Sequence, residues 1–137
     1  MVQFYVLAIL LNFIGGALLA ADYFEERFPI LVQMRKGLED RPGLRVSLII
    51  LTVLVGIFKL LTVTSGDVPV VGDLLPALSL FLLGFIQALD YYIQKSDVGG
   101  EGREHLEKIF IANQSVFGVA AMVIAVLHFL FPAVLFL

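Results

Sequence analysis

The chain reads as an all-α membrane protein, a four-transmembrane-helix bundle made from two tandem two-helix repeats with pseudo-twofold symmetry along the membrane normal. Three observations predict this. The 137 residues are 60% apolar and 15% charged, with a mean hydropathy of +0.99. That is far from a soluble average, and a chain this small has too little interior to hide so much apolar surface, so lipid must cover part of it. Apolar runs recur that are long enough to cross about 30 Å of hydrocarbon at about 1.5 Å per residue. Finally, the stretch from Gly16 to Arg27, GALLAADYFEER, returns as Gly84 to Lys95, GFIQALDYYIQK, with glycine, alanine, an Asp-Tyr pair, a further aromatic and a distal cation at matching positions.

The first span is Val2 to Ala21, apolar except for Gln3 and Asn12. A cleaved signal peptide is the competing reading, but no basic segment precedes the run and the run is long for one. From Glu25 to Gly43 the chain is polar, yet Phe28, Ile30, Leu31, Val32, Met34 and Leu38 are too apolar for a solvated linker. Pro29 to Leu38 is expected as a short helix in the headgroup layer, its basic residues towards anionic lipid, or else as a loop packed on the protein. Pro42 and Gly43 open a second span, Leu44 to Thr64, ended by Ser65-Gly66-Asp67, glycine being common just past a helix end. A third span opens at Asp73, tolerates Pro76 in its first turn and runs to Tyr92 or Lys95. After the Gly-rich turn 96–102, Arg103 to Lys108 forms the solvated start of a fourth helix whose span is Ile109 to Phe131.

Cations set the orientation, because cytoplasmic connections carry the excess of Lys and Arg. Arg27, Arg35, Lys36, Arg41 and Arg45 flank the first connection and Lys95, Arg103 and Lys108 the last, whereas the middle one holds Asp67 and Asp73 and no base. Loops 25–43 and 96–108 are therefore expected in the cytoplasm of a bacterium, both termini outside and the chain in the inner membrane.

Shifting the chain on itself by about sixty-eight residues aligns its halves without gaps. Gly16 falls on Gly84, Ala20 on Ala88, Asp22 on Asp90, Tyr23 on Tyr91, and Arg35-x-x-Leu38-Glu39 on Arg103-x-x-Leu106-Glu107. The single domain 1–137 thus divides into repeat one, 1–68, and repeat two, 69–137, both crossing in the same sense. Ala8, Asn12, Gly16 and Ala20 form a small-residue stripe on the first helix, and Gly84 and Ala88 repeat its inner part. Close backbone approach through such faces drives helix association in lipid. The first and third spans are expected to touch through them near the axis.

The same placement brings Asp22 and Asp90 together at the inner boundary, with Tyr23 and Tyr91 beside them and Gln87 one turn before Asp90. Two such carboxylates could share a proton or hold a cation; the plainer reading is a polar end to each span, with Tyr at headgroup depth. Lys59 and His128 take nearly corresponding places if one residue is inserted in the second copy. Lys59 shares a face with Thr52 and Thr62, and His128 with Gln114 and Ala121. Facing each other they could bind an anionic headgroup or substrate, although lysine can instead snorkel to the surface. Asn12, near mid-bilayer, and the Asn113-Gln114-Ser115 cluster are expected to join helices by hydrogen bonds.

Cysteine is absent, which removes disulfides and thiolate chemistry. There is no HExxH spacing, no Gly-rich phosphate loop and no pair of histidines on separate spans for haem. No catalytic residue, cofactor or metal is expected, and the mixed charge of −3 gives no reason to expect nucleic acid. The leading expectation is a non-enzymatic membrane protein, a structural or accessory subunit or a scaffold, in contact with membrane lipid and either a homo-oligomer or part of a larger membrane complex. The alternative is a small transporter, channel component or lipid-binding protein using the interior polar residues; an enzyme built on Asp22 and Asp90 is a third reading.

Overall fold

The computed structural model describes residues 2–61, 73–97 and 99–131. Six α-helices follow in order: α1 Val2–Leu19, α2 Pro29–Glu39, α3 Pro42–Leu61, α4 Leu74–Lys95, α5 Glu101–Leu106 and α6 Gln114–Leu130. A π-helical stretch, Glu107–Ile111, lies between the last two, and no strand occurs among the described residues. Pro29 and Pro42 each occupy the first helical position, where the missing N–H is no loss and φ is already helical. The short helix expected at Pro29 to Leu38 is present as α2, and the helix opening after Asp73 is present as α4. The link 65–71 and the tail 132–137 lie outside the described residues.

By length and composition α3 and α4 can each cross a membrane, and α5 to α6 can make a third crossing if that bent unit is one span. Four uninterrupted spans were expected, and two features differ. The regular part of α1 stops at Leu19 and gives way to successive turns through Arg27, leaving an apolar helix shorter than a full span. The expected fourth helix is bent by 46° at Ala112 and Asn113. There the Ala112 N–H reaches back five residues to the Glu107 carbonyl (3.0 Å), and the Asn113 amide donates to the Ile109 carbonyl at 2.9 Å and the Lys108 carbonyl at 3.3 Å. An asparagine side chain that occupies these acceptors competes with the helical backbone ladder, and π-turns are a common cause of kinks.

α1 lies chiefly along α6 and α3 along α4, with a further contact between α1 and α4. Ala8, Leu11, Val55 and Leu80 form one buried cluster, and Leu19, Leu83, Ile86 and Ala121 a second. The small-residue faces join α1 to α4 only in part, and not through their inner glycines. A Cβ on Gly16 would come within 2.5 Å of the Gly118 carbonyl on α6, and one on Gly84 within 2.7 Å of Val53 on α3. Ala20 also abuts Gly118, whereas Ala88 is exposed. The reason is geometric: a step of four residues advances about 40° around a helix, so Ala8 to Ala20 turns through roughly 120°. Its first part, Ala8 and Asn12, faces α3 and α4, while its second part, Gly16 and Ala20, faces α6.

Candidate functional site

Polar side chains gather at two levels, one at each end of the long helices. At the level where α3 ends and α4 begins, Lys59, Asp73 and His128 are 3%, 7% and 1% exposed. Lys59 is in the last turn of α3 and points inward, where its Nζ meets Asp73 Oδ1 at 2.7 Å. His128 Nε2, from α6, lies 3.6 Å from the same oxygen. Asp73 precedes α4 and makes no capping bond, so its carboxylate is turned to Lys59. Tyr5 on α1 completes the level: its hydroxyl donates to the His128 carbonyl at 2.7 Å, its ring stacks obliquely on the imidazole at 4.8 Å, and Lys59 Nζ sits 5.3 Å from the ring centre. Deeper on α1, the Asn12 amide donates to the Pro76 carbonyl at 3.2 Å, joining α1 to α4 as expected for a buried amide.

Lys59 and His128 do come together, but around an acid that the sequence reading treated only as a helix start. A lysine inside an apolar run needs a nearby counter-charge, and the following connection offers only Asp67 and Asp73; that requirement could have found Asp73. The Thr52 hydroxyl donates to the Leu48 carbonyl (2.8 Å), and Thr62 lies outside the described residues.

The other level contains the two Asp-Tyr pairs. Each aspartate is held by an arginine. Asp22 receives both Arg35 amines, at 2.9 and 2.5 Å, and Arg35 also lies 3.8 Å from Glu39. These bonds from Asp22 raise the Arg35 pKa further above its ordinary value, against the opposing effect of burial. Asp90 pairs with Arg45 of α3 at 2.5 Å, and Gln94 bridges the two, accepting from Arg45 at 2.9 Å and donating to Asp90 at 3.0 Å. Arg45 also stands over the Tyr91 ring at 5.4 Å, whereas Tyr23 is 72% exposed with its ring against Phe24. Gln94, and not the nearer-to-core Gln87, is the amide that bonds Asp90. Both polar side-chain atoms of Gln87 are buried without a hydrogen-bond partner. Gln87 and Gln114 line a cavity of about 30 Å³ with Arg35, Glu39, Arg45 and Asp90, room on the scale of one water molecule.

Chemically, both levels are ion-pair networks. Charge meets charge across helices, and no group of three His, Cys, Asp or Glu among the described residues is placed to hold a metal ion.

A family model for a domain of unknown function matches residues 1–128. The chain belongs to that family. The matched region takes in both polar levels, from Tyr5 to His128. No curated protein and no solved structure matches the chain.

Proposed function

We propose that this chain is a non-enzymatic integral membrane protein, a structural or accessory subunit or a scaffold of a larger membrane assembly. The supporting observation is that interior charges are closed on one another between helices: Lys59 of α3 on Asp73 before α4, and Arg45 of α3 on Asp90 of α4. A buried ion pair of this kind fixes which helices associate, and removing one partner is costly. Between the two levels the largest buried side chains are apolar, Leu80, Leu83 and Ile86 being at most 1% exposed, and the buried Asn12 and Thr52 donate to backbone carbonyls of Pro76 and Leu48, which favours this role over a conducting path for ions or polar solutes.

The full architecture in this reading is four spans in two tandem repeats. Its support is the way equivalent positions behave. Gly16 and Gly84, sixty-eight apart, each rest on the second long helix of the other repeat, α6 and α3 respectively. On α3, Thr52, Gly56 and Lys59 are buried; on α6, Ala121, Ala125 and His128 are, each sixty-nine residues later. A π-turn accommodates one extra residue, and the stretch Glu107–Ile111 precedes the buried positions of α6 that match at sixty-nine, while Ser47 with Ser115 and Val55 with Val123 still match in sequence at sixty-eight. Loops 25–43 and 96–108 then face the cytoplasm and both termini lie outside, in the inner membrane of a bacterium.

Purification of the tagged chain in a mild detergent, with every co-purifying protein identified, tests the role. A stoichiometric membrane partner or a homo-oligomer is expected. A monomer that retains no protein and moves an ion or solute in reconstituted vesicles overturns it in favour of transport.

A further inference from the structure

On the face of the molecule between α1, α2 and α3 runs an open groove of about 430 Å³, within the range of roughly 300–1,000 Å³ typical of small-ligand sites. Its walls are apolar, with Ile14 and Leu18 on α1, Met34 and Leu38 on α2, and Leu44 and Leu48 on α3. Arg41, exposed in the turn between α2 and α3, is the one charged residue lining it. Among the described residues Arg41 forms no salt bridge, whereas its neighbours Arg35 and Arg45 are both paired with carboxylates. The groove runs beside α3, a helix apolar enough to cross a membrane, and its cation lies at the polar end of that helix. A second open groove, between Phe13 and Met122, is of similar size at about 330 Å³ but carries no charge.

We infer that the groove between α1, α2 and α3 binds one anionic phospholipid, its acyl chain along Ile14, Leu18 and Leu48 and its phosphate on Arg41. The inference rests on the membrane reading above. An apolar trough with an unmatched guanidinium at its mouth is complementary to that amphiphile: the chain fills the trough, and the guanidinium is well shaped to hold phosphate oxygens. Gly37 also lines the groove, and a Cβ there would meet nothing within 4 Å. A larger side chain at that position therefore enters the groove without disturbing the protein.

The test is native mass spectrometry of the full-length chain in mild detergent, titrated with dioleoyl phosphatidylglycerol or dioleoyl phosphatidylcholine. The wild type is expected to retain one phosphatidylglycerol about fivefold more strongly than phosphatidylcholine, the preference expected of one basic residue near a lipid surface. Arg41→Gln removes the preference and leaves binding at the phosphatidylcholine level. Gly37→Leu lowers retention of both lipids, and Val123→Phe in the uncharged groove leaves the preference unchanged. Equal retention of the two lipids by the wild type, or an undiminished preference in Arg41→Gln or retention in Gly37→Leu, overturns the inference. A chain that does not fractionate with membranes overturns the membrane reading as well; one that does, and shows no headgroup preference, overturns only this site.

Discussion

Lys59 is close enough to the end of α3 to reach the surface, and its long aliphatic stem would allow it. It turns inward because the Asp73 carboxylate meets its ammonium group and the Tyr5 ring lies beside it. Lys59→Met leaves the Asp73 charge buried and unmatched, and should cost about 3–5 kcal/mol, whereas removing both charges together costs far less. Thermal unfolding in detergent of the two single variants and the double variant reads this directly. Glycines give a second contrast at this scale. Gly16→Val brings a side chain against the Gly118 backbone, where over-packing costs about 1–3 kcal/mol or more. Ala88→Val falls on an exposed position and should stay within about 0.5 kcal/mol of the wild type. Equal losses at the two positions would mean that α1 and α4, not α1 and α6, meet through their small residues.

Among the elements, α2, α3 and α4 were the most legible in sequence, and for definite reasons. Proline opens α2 and α3, and a long apolar run between polar ends marks α4. The break between α5 and α6 was not legible, because a π-turn alters the hydrogen-bond ladder without altering which residues are apolar. What hinted at it was the extra residue needed to bring His128 opposite Lys59. The partners of the aspartates were not legible either: Asp22 and Asp90 repeat in sequence, but Arg45, which binds Asp90, has no basic equivalent in the second copy. Two deletions test whether the π stretch holds a spare residue. Removing Ile109 should turn Glu107–Ile111 into ordinary α-helix and leave the α6 core in register. Removing Ala120 rotates Ala121, Ala125 and His128 by about 100° relative to the helix before them, and should unfold the chain or abolish its monodisperse peak on size exclusion.

At the scale of the molecule, apolar side chains such as Leu10, Ile50, Leu54, Leu78, Val123 and Phe129 are exposed on several helices, a surface that lipid or partner helices would cover. Orientation is readable because the chain has no cysteine, so one introduced thiol reports one position. With a membrane-impermeant maleimide on intact cells, Asp67→Cys should label, and Gly99→Cys should label only after the membrane is opened. The reverse pattern would invert the assignment of the cytoplasmic loops.

If the buried charges serve only to join helices, they can be removed as a pair without loss of assembly. The decisive measurement is the set of proteins recovered with the tagged Lys59→Met/Asp73→Asn chain, compared with wild type after both are shown to be membrane-inserted and monodisperse. The same partner or oligomer should be recovered in unchanged proportion. A well-folded double variant that no longer holds its partner would contradict a purely structural role for the pair.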